Sequence, residues 1–171
     1  LYSKVKLWCV PNVESVRPVG PPAPNSPDFQ TAANELNDVL DNLTNDQRKI
    51  ANFWSDGLGT YTPPGHWNRF ACESIVKNRY NPLRAARVLA YLNMAMQDAG
   101  IACWDAKYYF HYPRPIQAMP GFKTILGTPN FPSYTSGHSM FSAAGAEVLS
   151  YIFPADAATF QNYSEEAALS R

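Results

Sequence analysis

The feature that most restricts how this chain can fold is the run from Pro82 to about His111. In it Leu83, Ala86, Ala90, Met94, Ile101 and Trp104 return at helical spacing, and no further proline occurs before Pro113. Apolar residues with that period mark a long, broadly buried helix, whereas a strand needs apolar and polar residues in alternation. No such alternation and no internal repeat is visible in the 171 residues. The pattern predicts an all-α domain, arranged as a helical bundle.

Prolines set the other boundaries, because the ring fixes φ and removes an N–H donor. Residues 1–27 carry Val10-Pro11, Arg17-Pro18 and Gly20-Pro21-Pro22-Ala23-Pro24, and are expected to form an extended arm wrapping a helical body at 28–171. From Asp28 to Leu43, Phe29, Ala33, Leu36, Leu40 and Leu43 read as one helix, and Thr44 with Gln47 forms a capping box for a second that runs to about Ser55. Pro63-Pro64 opens a helix to about Tyr80, and Pro82 suits the first turn of the long one. Residues 112–136 read as loop-rich, Ser136 to Phe153 as helix, and Tyr163 to Arg171 as the start of another.

Fourteen basic residues balance fourteen acidic ones, so no overall field marks a nucleic-acid or membrane-surface binder, and any anion site must be local. The apolar stretches Leu83–Met96 and Met140–Phe153 are interrupted by Arg84, Arg87, Asn93 and Glu147, which argues against a membrane span. Cys9, Cys72 and Cys103 fit neither a disulfide framework nor a CxxC metal site, and read as free or buried thiols.

Lys107 and Arg114 are seven residues apart, a spacing that returns to nearly the same helical face. Pro113 and Pro115 should end the helix there, so Arg114 leaves on a loop and can turn back. Two cations around Tyr108-Tyr109-Phe110-His111-Tyr112 are costly to bury without an anion, although a snorkelling surface pair accounts for them equally well. The segment Pro132-Ser133-Tyr134-Thr135-Ser136-Gly137-His138 then runs from loop into an apolar helix. A helix N-terminus offers free N–H groups to oxyanions. Ser136 adds a hydroxyl, Gly137 a bare backbone, and His138 a side chain able to move protons near neutral pH. A simple helix cap is the competing account.

Together, Lys107-x6-Arg114-Pro115 and Pro132-Ser133-x2-Ser136-Gly137-His138 resemble the first two signature motifs of the superfamily shared by vanadium-dependent haloperoxidases and type 2 phosphatidic acid phosphatases. Phe53-Trp54-Ser55-Asp56-Gly57 and Thr62-Pro63-Pro64-Gly65-His66-Trp67-Asn68 are similar to a stretch of its bacterial haloperoxidase-like branch. The third family motif begins Ser-Arg, as Ser170-Arg171 does, which places the family's vanadate-bonding or nucleophilic histidine beyond Arg171. The domain at 28–171 is therefore expected to be truncated at its C-terminal end. The resemblance implies a bundle of the vanadium chloroperoxidase and acid phosphatase type. In it Lys107, Arg114, Ser136, the Gly137 N–H and Arg171 would hold vanadate or phosphate, with Lys107 and His138 as catalytic groups. Both pentavalent oxyanions need several fixed donors around a five-coordinate geometry.

Trp104 and Phe131 resemble the apolar pair that lines the halide pocket in chloride-oxidising members, with ordinary core aromatics as the alternative. The first reading is thus a haloperoxidase oxidising halide with hydrogen peroxide at bound vanadate. A soluble acid phosphatase working on phosphomonoesters through a phosphohistidine is the second, and a non-catalytic degenerate domain the third. Expected partners are small molecules, with no nucleic acid and no membrane span, and the oligomeric state is open. A start at Leu1 without a signal core reads either as a removed leader, which would fit a bacterial periplasmic or secreted setting, or as a fragment. His66 and His111 lack metal-site spacing and receive no ligand role. Asp56 and Asp105 are read either as supports for Arg171 or Lys107 or as solvated positions.

Overall fold

The computed structural model describes residues 2–171, and every regular element among them is helical. Seven α-helices follow one another: α1 (Pro27–Asp41), α2 (Asn45–Phe53), α3 (Thr62–Lys77), α4 (Pro82–Phe110), α5 (Pro115–Ala118), α6 (Gly137–Ile152) and α7 (Ala157–Leu169). None of the described helices is long and apolar enough to cross a membrane.

The ends of these helices follow local chemistry. Thr44 and Gln47 make the reciprocal capping box that starts α2, with the Gln47 N–H donating to the Thr44 hydroxyl at 3.2 Å and the Thr44 N–H to Gln47 Oε1 at 2.8 Å. Pro82 occupies the first turn of α4, Asn81 accepts the Arg84 N–H at 2.9 Å, and His111 stops the helix in the left-handed conformation at φ 49°. Three boundaries differ from the sequence reading. Helix α3 ends at Lys77 and not near Tyr80, because Arg79 turns left-handed at φ 52°. Helix α7 begins at Ala157, directly after a 3-10 turn at Pro154–Asp156, and not at Tyr163. Its N-cap Asp156 makes no side-chain capping bond and pairs instead with Lys77 at 2.6 Å. The loop-rich stretch at 112–136 contains the short α5.

The long helix α4 packs against α6 and α3, and α6 packs in turn against α7. The core lies between them, with Val88, Leu92 and Met96 of α4 meeting Phe141 and Leu149 of α6 and Trp67 and Phe70 of α3. This corrects the expected burial of α4. Leu83, Ala86 and Ala90 face outward and Met94 is only half-buried, whereas Val88, Leu92 and Met96, four residues apart, are buried. Both faces of the first half of α4 are apolar, so periodicity alone did not distinguish them.

Two glycines allow the close packing. A Cβ on Gly145 of α6 would stand 2.6 Å from the Trp67 ring, and one on Gly100 of α4 would stand 2.9 Å from Phe141. Trp67 is also held by its indole N–H, which donates to the Ser142 hydroxyl at 3.0 Å. Overfilling such a contact typically costs about 1–3 kcal/mol. Gly145→Ala should therefore lower the unfolding free energy by that amount, seen as a lower urea midpoint at an unchanged m-value, and an unaltered midpoint would show that Trp67 has room to yield.

The N-terminal segment contains two 3-10 turns, Tyr2–Lys4 and Val13–Val16, and is otherwise irregular. Two carboxylates of α4, seven residues apart, fasten it. Asp98 accepts the backbone N–H groups of Trp8 at 2.8 Å and Cys9 at 2.7 Å, and Asp105 binds Arg17 at 2.7 Å while the Arg17 guanidinium lies 3.9 Å from the centre of the Tyr109 ring. Further along, the carbonyls of Val19 and Pro22 accept the hydroxyls of Tyr134 and Tyr112. The segment thereby braces the loop that leads into α6.

Candidate functional site

Lys107 sits in the last turn of α4, only 1% exposed, with its side chain directed at the loop before α6. Its ammonium donates to the carbonyls of Pro132 and Ser133, each at 2.9 Å. None of the ion pairs among the described residues includes Lys107, Arg114 or Arg171. Burial above all pushes the Lys107 pKa down to about 8, with Cys103 pulling the other way and the Arg114 cation adding a lesser push down. Carbonyl dipoles hold this charge without neutralising it.

Arg114 leaves α4 after Pro113 and becomes the N-cap residue of α5, turning back as its flanking prolines predict. Its Nε donates to the Phe131 carbonyl at 2.8 Å, its guanidinium stands 4.9 Å from the centre of the Phe131 ring, and its Nη2 is buried without a hydrogen-bond partner. Desolvation lowers its pKa. The Lys107 ammonium lies 5.1 Å from the same ring and 6.0 Å from that of Trp104, and these two rings are 5.3 Å apart at 48°. Both cations and both aromatic residues named from the sequence therefore share one corner.

The N-terminus of α6 borders this corner. Ser136 is its N-cap, with the hydroxyl oxygen accepting the Ser139 N–H at 3.3 Å and the hydroxyl proton left free to donate. Gly137 is the first helical residue, where backbone N–H groups have no partner within the helix. A Cβ there would meet only the Trp104 ring, at 3.8 Å, so the protein itself does not exclude a side chain. The value of glycine at this point lies on the open side, where a ligand would approach the backbone.

His138, the next residue, leaves its Nε2 buried and unpartnered. Burial above all, and then the Arg171 cation, lower its pKa to about 4, with Trp54 and Asp56 pulling the other way. Arg171, at the end of α7, is exposed overall, but its guanidinium is desolvated, and Nη2 donates to the carbonyl of Trp54 and, at 3.5 Å, to that of Ala51. These are the last carbonyls of α2, where a helix favours positive charge.

Sequence reasoning left out one partnership. Asp56 and His66, both buried, pair through Oδ2 and Nδ1 at 3.1 Å, beside His138 and Arg171. The only sequence signal was the pair of stretches that contain them. The reading of Asp105 as a support for Lys107 is corrected, because its carboxylate binds Arg17, and it is not a solvated position. His111 serves as the exposed left-handed cap of α4. All three thiols are free, Cys103 buried and the other two exposed.

This arrangement parallels known proteins. The model of the VCPO second helical-bundle domain family matches residues 87–124 and 117–170, which hold Lys107, Arg114, Ser136, Gly137 and His138 but not Arg171. The vanadium chloroperoxidase of Curvularia inaequalis is 28% identical, over 48% of this chain and 18% of its own. A crystal structure described as the first bacterial vanadium-dependent iodoperoxidase superposes with a TM-score of 0.87 at 28% identity, covering 99% of this chain and 50% of that one. The chain thus spans about half of one relative and a smaller share of the other. An all-helical bundle, a sequence-family match over residues 87–170 and a structural superposition covering 99% of this chain agree in supporting its kinship with the vanadium-dependent haloperoxidase superfamily.

Proposed function

We propose that the corner formed by Lys107, Arg114, Ser136, Gly137 and His138, with Arg171 beside it, binds vanadate and serves the oxidation of halide by hydrogen peroxide. One observation carries this reading. A buried Lys107 and a half-buried Arg114 whose Nη2 is buried without a partner, neither paired with a carboxylate, lie beside a helix N-terminus that carries a buried, unpartnered imidazole nitrogen. Buried charge and orphaned donors of this kind are costly unless an anion completes them. The donor set fits a tetrahedral or five-coordinate oxyanion: an ammonium, a guanidinium with Nη2 free, a hydroxyl proton, and backbone N–H groups. Vanadate, when bound, supplies a Lewis-acidic centre that activates peroxide for oxygen transfer to halide.

The chain's own residues do the rest. Lys107 and Arg114 hold the anion and draw electron density from it, worth most where water is excluded. His138, with a pKa near 4, is neutral at pH 7. Its Nε2 is buried and has no partner, so Nε2 is the atom placed to accept a proton from incoming peroxide and return it. Trp104 and Phe131 form an apolar wall beside the ammonium, where a weakly hydrated halide can shed water.

Calorimetric titration of orthovanadate and inorganic phosphate tests the site. Each should displace the other, because they share shape, charge and donors. Since Lys107 has a pKa near 8 in the free protein, its neutral form prevails above that pH and the anion must bring the proton back. Affinity should therefore fall as pH rises beyond 8, with proton uptake on binding visible as a dependence on buffer ionisation enthalpy. Vanadate that phosphate cannot displace, or no binding of either, would refute the shared pocket. Rapid phosphoester hydrolysis without halide oxidation would establish a phosphatase instead.

A further inference from the structure

The Asp56–His66 pair is costly by construction and not yet accounted for. Asp56 is held in the left-handed region at φ 42°, which a non-glycine residue adopts only under constraint from its surroundings. His66, on α3, is fully buried among aromatic rings, with the centres of Phe53, Trp54 and Phe70 at 4.8, 4.7 and 4.8 Å. Its Nδ1 meets Asp56, while Nε2 is buried with no partner. A phenylalanine would fill that aromatic box without an unmet nitrogen, so packing alone does not call for histidine.

The pair sits in a segment that the anion site uses. Two residues before Asp56, the Trp54 carbonyl accepts from Arg171, and the Trp54 backbone favours the charged form of the His138 ring. Asp56 itself favours the charge on both Arg171 and His138, and His66 is the other titratable group facing His138. The Trp54 indole is tied to α7 as well, donating to Glu166 at 2.8 Å. The segment 53–56 thus joins α3, α6 and α7, and the Asp56–His66 bond is its anchor on α3.

We propose that His66 is a positioning residue of the anion site, acting through Asp56 and the Trp54 carbonyl to orient Arg171 and His138. The proposal rests on the reading of that site as an oxyanion pocket. Groups that orient ligating residues from outside typically contribute about 10–100-fold in affinity.

Calorimetric titration of the purified chain with orthovanadate, and separately with inorganic phosphate, tests it. His66→Phe keeps a ring but removes the donor, and should weaken both anions by roughly 10–100-fold. His66→Asn keeps an N–H for Asp56 and should restore most of the loss, an outcome that mere filling of the aromatic box would not produce. In an Arg171→Ala background His66→Phe should cost nothing further, because groups acting through one another are not additive. Undiminished affinity in a folded His66→Phe protein, no rescue by His66→Asn, or additive losses with Arg171→Ala would overturn the proposal. Should His66→Phe fail to fold, Asp56→Asn, of nearly the same size, decides by the same readout. If Lys107→Ala abolishes binding while His66→Phe leaves it intact, His66 is structural and the pocket stands. A parent chain that binds neither anion refutes the pocket and this proposal together.

Discussion

His138→Ala should lower the turnover of bromide or iodide oxidation by the vanadate-loaded protein by about 10²–10⁴-fold, the usual contribution of a general acid–base group. The loss should fall on kcat more than on vanadate affinity, because Lys107, Arg114 and the N–H groups of α6 still hold the anion. Iodination or bromination of an organic dye, followed spectroscopically at saturating peroxide, measures it. The direction follows from the free imidazole: burial and Arg171 keep it uncharged at neutral pH, with Nε2 buried and without a partner. An enzyme lacking His138 that turns over at the parental rate would remove this residue from the mechanism.

Lys107→Ala should weaken orthovanadate and phosphate by roughly 10–150-fold, the equivalent of one hydrogen bond to a charged group at about 1.5–3 kcal/mol. The same substitution should not destabilise the fold greatly. It frees the carbonyls of Pro132 and Ser133, but it also removes a desolvated charge that no carboxylate neutralises. Loss of affinity without loss of stability separates a ligand-binding lysine from one that merely ties the loop to α4, and equilibrium urea unfolding beside the titration distinguishes the two. Arg114→Lys provides the geometric counterpart. A lysine cannot both donate to the Phe131 carbonyl and present a second planar N–H to the anion, so affinity should fall although the charge is kept.

The candidate site was legible to the extent that it is written in short segments. Lys107 and Arg114 are separated by seven residues, two prolines turn Arg114 back, and Ser136-Gly137-His138 opens a helix. Spacing, caps and proline sterics act over a few residues, so they show in the chain itself. The Asp56–His66 bond was hidden by a different cause. Ten residues separate its partners, and what joins them is a left-handed Asp56 and the packing of α3, neither of which has a local signal. Asp105 shows the same limit, since its partner Arg17 is 88 positions away.

By itself the sequence determined the helical class, the starts of α1 to α4 and of α6, and the family resemblance, because propensity, capping and motif spacing are properties of neighbouring residues. Which face of α4 would be buried depended on α6 and α3, because both faces offered apolar surface and only the approach of Trp67 and Phe141 to the glycines of α6 and α4 selected one. The state of the cations was likewise tertiary. Lys107 could have extended into water on its own helix, and it is buried against carbonyls because the loop before α6, braced by the N-terminal segment, closes over it. Desolvation, which lowers the pKa of Lys107, Arg114 and His138, arises only when distant parts of the chain exclude water together.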